Sequence, residues 1–185
     1  MSADLYALPP ALPVPEDDGG CDHLQGRMLP QLTLDSSKGP VSLRALSMNR
    51  LVLYVYPRTG RPGRPAGAEW DAIAGARGCT PQACGFRDHA AELAELGAAL
   101  AGLSAQPLEE QVEFAERNHI PYPVLADPEL RLGAALGLPT FEFEGARLYR
   151  RVTLAVEACA ISKVFYPVFP PDRNAAEVVA WLRSR

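Results

Sequence analysis

The sequence predicts an α/β sandwich, a central mixed β-sheet with helices on its faces. Three observations carry that prediction. The run Leu51-Val52-Leu53-Tyr54-Val55-Tyr56 is continuous, rich in β-formers and ended by Pro57, the pattern of a strand buried on both faces. Segments with helical spacing then alternate with short apolar runs. Near the C-terminus, Arg150–Val156 and Ile161–Tyr166 alternate like a strand pair joined by a turn at Glu157–Ala160.

The elements follow in order. Residues 1–28 read as an irregular arm, because Pro9, Pro10, Pro13 and Pro15 precede Glu16-Asp17-Asp18-Gly19-Gly20. The folded domain is expected over 29–185. Gln31–Leu34 and Val41–Leu43 flank a polar turn and predict a hairpin. After the central strand comes Arg58-Thr59-Gly60-Arg61-Pro62-Gly63-Arg64-Pro65-Ala66-Gly67, whose glycines and prolines exclude regular structure. A loop of that length in a compact domain is usually functional or disordered, and this one joins a core strand to the next helix. Thr80 as N-cap and Pro81 in the first turn open that helix, which should run to Gly97. Ala99–Ser104 predicts a strand, Leu108–Asn118 a helix and Pro123-Val124-Leu125 an extended segment. Asp127 is the expected N-cap of a helix over Glu129–Leu136, with Gly137 as its stop. A helix over Ala175–Leu182 closes the chain.

Composition bounds the function. A chain of 185 residues suits one domain with a substantial core. The formal net charge of −4 gives no reason to expect nucleic acid or an anionic membrane as partner. Apolar runs are far too short to span a bilayer. Met1-Ser2-Ala3-Asp4 lacks the basic start of a secretory signal, so a cytoplasmic location is expected. The cysteines Cys21, Cys79, Cys84 and Cys159 do not suggest a disulfide scaffold; their spacing gives one close pair and two bystanders.

The close pair carries the chemistry. Gly78-Cys79-Thr80-Pro81-Gln82-Ala83-Cys84 sets Cys79 at a helix start, where free N–H groups and the positive helix end favour a thiolate, with Arg77 adjacent. A thiolate that attacks a hydroperoxide becomes a sulfenic acid, which condenses with a nearby thiol, and Cys84 is the candidate. Five helical residues place the two Cα atoms about 7.5 Å apart along the axis. A disulfide needs no more than about 6.8 Å. The pair therefore predicts a reduced helical state and an oxidised state with the first turns unwound. The plain alternative, two core cysteines sharing a helix by chance, conflicts with their pointing about 140° apart.

Tyr56-Pro57 after a buried strand, followed by Gly78-Cys79-Thr80-Pro81-Gln82-Ala83-Cys84-Gly85-Phe86-Arg87-Asp88, resembles the peroxiredoxins of the Q type, also called bacterioferritin-comigratory-protein-like. The resemblance runs from about Leu29 to Arg183 and includes Arg151-Val152-Thr153-Leu154. It implies a thioredoxin-like fold and reduction of hydrogen peroxide or organic hydroperoxides. It also implies recycling by thioredoxin or a similar dithiol protein, and a monomer. Cys79 becomes the peroxidatic and Cys84 the resolving residue, Arg151 stabilises the thiolate, and Pro57 and Gly78 border the substrate. Arg150 should point to the opposite face. One departure stands out: the family places a threonine three residues before the peroxidatic cysteine, and this chain has Ala76. The loop inserted around 60–76 is expected to fold back so that Thr59 supplies that hydroxyl.

Weaker signals complete the reading. No cofactor or metal is expected, since Cys21-Asp22-His23 lacks further ligands at suitable spacing and suits a solvated arm. His89 reads as surface, His119 as a helix-end residue, Cys159 as an inert turn thiol and Trp70 as an anchor of the inserted loop. Val164–Phe169 reads as a core edge. A thiol–disulfide oxidoreductase generally has two residues between its cysteines rather than four. A redox sensor or thiol-dependent chaperone using the same disulfide switch, and a structural homologue that has lost catalysis, are the remaining alternatives.

Overall fold

The computed structural model describes residues 5–64 and 67–185. A central sheet has the strand order β5-β4-β3-β8-β9. It consists of β3 (Arg50–Val55), β4 (Ala98–Ser104), β5 (Val124–Ala126), β8 (Val152–Glu157) and β9 (Ala160–Phe165). β3, β4 and β5 run parallel, while β8 is antiparallel to β3 and β9 to β8. Two hairpins stand outside it, β1 (Thr33–Leu34) with β2 (Val41–Ser42) and β6 (Thr140–Phe143) with β7 (Ala146–Tyr149). The helices are α1 (Leu43–Leu46), α2 (Gly67–Asp71), α3 (Cys79–Asp88), α4 (Ala90–Glu95), α5 (Leu108–Arg117), α6 (Arg131–Leu136) and α7 (Asn174–Arg183). This is the predicted sandwich with a mixed sheet.

Side chains of a strand alternate between faces, so the unbroken apolar run of β3 feeds two cores. Leu51, Leu53 and Val55 pack with Leu103, Leu154, Leu132, Leu136 and Tyr149 on one face. Val52, Tyr54 and Tyr56 pack with Phe86 of α3, Leu93 of α4, Phe114 of α5 and Val178 of α7 on the other. The second face is aromatic. Phe86 stacks on Tyr54 at 4.6 Å between centroids, and Tyr122 meets Tyr54 edge-on at 6.0 Å. Such pairs add about 0.5–1.5 kcal/mol each beyond area burial. They hold α3 to the sheet.

Several expectations need correction. The helix expected from Thr80 to Gly97 is two, α3 and α4, broken at His89. The break turns the chain so that Leu93 reaches the same core as Phe86. Thr80 is not the N-cap: Gly78 holds that place, and Thr80 lies buried inside the first turn. Asp127 keeps a capping role at longer range. The helix begins only at Arg131, yet the Asp127 carboxylate accepts N–H bonds from Arg131 and Leu132, both at 2.9 Å. Gly137 ends it with φ 73°, as expected.

The arm is irregular where described, but it is not solvated throughout. Cys21 and Leu24 belong to the first core, at 4% and 0% exposure. His23 Nε2 lies 2.8 Å from the Leu136 carbonyl. Burial, with Asp18, Asp17 and Asp22 nearby, pushes the Cys21 thiol up to about 12. The expected solvated Cys21 is therefore a core residue. The loop after β3 also holds a helical turn, α2, that its glycines and prolines argued against.

Candidate active site

The loop after β3 returns to the body at Gly78, and the backbone there admits only glycine. Its φ is 103°, and a β-carbon would stand 2.4 Å from Pro171 Cγ and 2.8 Å from Leu8 Cδ2. The turn delivers Cys79 as the first residue of α3. Backbone N–H groups in such a first turn lack intrahelical partners and present partial positive charge. Cys79 is 4% exposed, and its thiol faces the Ala76 carbonyl at 3.6 Å.

Arg151, at the mouth of β8, reaches the same sulfur. Its Nη2 stands 3.2 Å from Cys79 Sγ and also donates to the carbonyls of Ala76 and Arg77, at 3.0 and 3.2 Å. Nε donates to Gly75 O at 3.3 Å and Nη1 to Gln82 Oε1 at 2.5 Å. Arg151 is 3% exposed, and no carboxylate pairs with it among the described residues. A buried cation without a carboxylate is costly unless another group supplies negative charge. Three carbonyls, the Gln82 amide oxygen and the Cys79 sulfur surround the guanidinium in place of a carboxylate. Arg150 is not parted from Arg151 onto an opposite face as expected: its guanidinium stands 6.0 Å from the Phe141 ring, and both arginines line one cavity with Gly75 and Tyr166.

Behind the guanidinium runs a buried polar chain that the sequence reading missed. Gln82 Nε2 donates to Asn174 Oδ1 at 3.0 Å, and Thr153 Oγ1 donates to the same oxygen at 2.7 Å. α3, α7 and β8 are thereby tied to the residue that touches Cys79. Gln82 lies inside the cysteine motif, so its helical position was readable. Asn174 had no signal beyond its place at the start of a helix.

Cys84 lies on the same helix, half-buried, with its thiol 3.9 Å from Asn118 Oδ1. Burial raises its pKa from the ordinary thiol value; Arg87 and Arg117 oppose that rise, and Asp88 adds to it. All four cysteines are unbonded, and α3 is intact between Cys79 and Cys84.

Cys79 opens into a cavity of about 20 Å³, lined by Leu5, Arg58, Gly60, Trp70, Arg77 and Thr80 together with Gly78. That is room for one water-sized group. Thr59 does not line it. Both its amide and its hydroxyl donate to Gln106 Oε1, at 2.8 and 3.2 Å, and it faces a neighbouring cavity of about 360 Å³ that shares Arg58, Gly60 and Trp70. Pro57 is buried and lines neither cavity. Arg77, expected beside the sulfur, pairs through Nη1 with Asp71 at 3.3 Å.

Trp70 anchors the loop as expected. It packs between Phe141 at 6.0 Å and Phe143 at 5.0 Å, with the Arg58 guanidinium 4.7 Å over its ring. Its partners come from the β6–β7 hairpin, which sequence reasoning missed. The alternation Phe141-Glu142-Phe143 before Glu144-Gly145 was the signal. His89 pairs with Glu92 at 2.8 Å, and His119 is exposed at the end of α5. Cys159 is buried, its thiol 3.6 Å from Arg44 O. No helix among the described residues is long and apolar enough to cross a membrane.

Residues 24–180 match the Redoxin family. Peroxiredoxin Q of Arabidopsis thaliana, a chloroplastic protein, is 27% identical over 86% of this chain and 67% of its own length. The crystal structure of peroxidoxin BcpB from Mycobacterium tuberculosis superposes with a TM-score of 0.71 at 29% identity, covering 88% of this chain and 98% of that one. Peroxiredoxin Q from Xanthomonas campestris shares the fold, with a TM-score of 0.66 at 22% identity over 94% and 96% of the two chains. The mixed sheet, the cysteine at the start of α3 and these likenesses agree: the chain belongs to the Redoxin family, among the thioredoxin-fold thiol peroxidases of the peroxiredoxin Q and bacterioferritin-comigratory type.

Proposed function

We propose that this peroxiredoxin works through an attacking Cys79 and a resolving Cys84, joined transiently in one chain. The observation that carries the reading is the buried Arg151 guanidinium 3.2 Å from Cys79 Sγ. A cation fixed there neutralises charge that develops on the peroxide oxygens during attack. The thiolate attacks the outer oxygen of the hydroperoxide. The S–O bond forms as the O–O bond breaks, and the departing alkoxide or hydroxide takes up a proton to leave as alcohol or water. Cys79 is then a sulfenic acid. The Cys84 thiol gives up its proton and the thiolate attacks that sulfur; the S–S bond forms as the S–O bond breaks, and the departing hydroxide takes up the proton to leave as water. An external dithiol of the thioredoxin class restores both thiols by exchange and is itself oxidised to a disulfide.

The redox domain in this reading spans 29–185 with the inserted loop around 60–76, and the enzyme acts as a cytoplasmic monomer. Gly78 borders the substrate side of the pocket, and Pro57 acts there indirectly, as the buried residue that precedes Arg58 of the pocket wall. We assign Thr59 a supporting role there, because its bonds to Gln106 fix the segment whose neighbours Arg58 and Gly60 line the cavity. Thr59→Val should slow peroxide reduction; unchanged kinetics would remove Thr59 from the site.

The deciding experiment is peroxide titration followed by non-reducing peptide mapping. The wild type should give a Cys79–Cys84 disulfide, and Cys84→Ser should trap a Cys79 sulfenate. A disulfide to Cys21 or Cys159 would overturn the pairing. Steady turnover with a thioredoxin system separates the enzyme from a stoichiometric sensor.

A further inference from the structure

The first described residues of the arm lie on the Cys79 site. Leu5 is one wall of the small cavity, and a β-carbon at residue 60 would stand 2.8 Å from its Cδ2. Leu8 Cδ2 would stand equally close, 2.8 Å, to a β-carbon at residue 78, next to the cysteine itself. Between the two leucines, Tyr6 interacts with the Arg117 guanidinium, whose Nη2 donates to Gly60 O at 3.1 Å. Both leucines are half-buried, and each sits over a glycine. The segment thus crosses from the loop after β3 to the start of α3.

We propose that Leu5 and Leu8 determine which hydroperoxides reach Cys79, acting as a strap that fills the space an organic substituent would need. The inference rests on Cys79 being the attacking residue. With the strap in place the cavity of about 20 Å³ is small enough to favour hydrogen peroxide, the smallest hydroperoxide, over any with an organic substituent. A bulky substituent such as cumyl must displace one or both isobutyl groups and give up their contacts at Gly60 and Gly78. The strap therefore discriminates by size, against large apolar hydroperoxides.

The test compares the full chain with a variant lacking residues 1–8 and with the double variant Leu5→Ala, Leu8→Ala, which keeps the backbone should the truncation fail to fold. Second-order rate constants for Cys79 oxidation are measured by stopped flow with hydrogen peroxide and with cumene hydroperoxide. The cumene-to-hydrogen-peroxide ratio should rise about tenfold or more in the variants. A ratio that stays within twofold of the full chain, or falls because the leucines grip the substituent, overturns the proposal. A second readout needs no peroxidase activity: alkylation of reduced Cys79 by a bulky maleimide relative to iodoacetamide should rise in parallel. Failure of the full chain to react with either peroxide would refute the peroxidase reading, and the alkylation ratio would then decide the strap alone.

Discussion

At the scale of single residues, two thiols with opposite surroundings support the proposal that Cys79 is the cysteine that attacks. Cys79 touches a buried guanidinium at a helix start. Burial among core leucines, with three aspartates nearby adding to it, pushes the Cys21 thiol up to about 12. Cys21 should therefore resist iodoacetamide at pH 8 in the folded protein and react only after denaturation, a contrast that mass spectrometry of the peptides reads directly. Arg151 cannot be exchanged for lysine without loss. Its three nitrogens serve the sulfur, three carbonyls and Gln82, whereas an ammonium is a single point of donation on a flexible stem. Arg151→Lys should lower the rate constant for peroxide about tenfold and Arg151→Met about a hundredfold or more, with KM for the reductant little changed. Equal rates for Arg151→Met and wild type would show that the charge plays no part.

At the scale of the element, α3 must be stable enough to hold Cys79 and weak enough to open. Its buried face contributes the Phe86–Tyr54 stack and the Tyr122 hydroxyl bond to Ala83 O at 3.0 Å. The spacing of the cysteines, about 7.5 Å along the axis, forbids a disulfide until that turn unwinds. Amide hydrogen exchange over 80–86 should thus be faster in the oxidised protein than in the reduced one; equal protection in both would contradict the unwinding. The pH dependence has a definite sign. Cys84 has a raised pKa in the helix, so the helical state favours the protonated thiol, fully so below the ordinary value of 9.0. As pH rises through that value toward the raised one, the unwound state ionises first and gains in relative stability. The thiolate it exposes is also the attacking species. Sulfenate decay after a peroxide pulse should therefore accelerate from pH 7 to 10, and a flat profile would show that Cys84 is not the group that attacks.

At the scale of the molecule, the sheet separates chemistry from much of the stability, and this division also explains what the sequence revealed. The cysteine motif and the central strand were legible because each is local in sequence, whereas Arg151 came from the family resemblance. The β6–β7 hairpin was readable from Phe141-Glu142-Phe143 and Glu144-Gly145, but the break at His89 and the covering of Cys79 by Leu5 and Leu8 were not, because they depend on contacts between distant segments. Thr59 shows the limit: its hydroxyl could be counted, but only the fold shows it donating to Gln106. The opposite face has its own polar centre. The Tyr149 hydroxyl donates to Asp127 Oδ2 at 2.7 Å and accepts from Gly133 N at 2.9 Å, and a β-carbon at Gly133 would stand 2.7 Å from the ring. Asp127 in turn caps α6, so one hydroxyl joins β7, α6 and the loop after β5. Tyr149→Phe removes it and leaves a buried N–H and part of a carboxylate without a donor or acceptor. That should cost about 1–3 kcal/mol in urea unfolding. The rate of Cys79 oxidation should stay within about twofold of wild type, since Tyr149 belongs to the core across the sheet from α3. A large loss of peroxide reactivity at unchanged stability would mean that the two faces are coupled through the sheet.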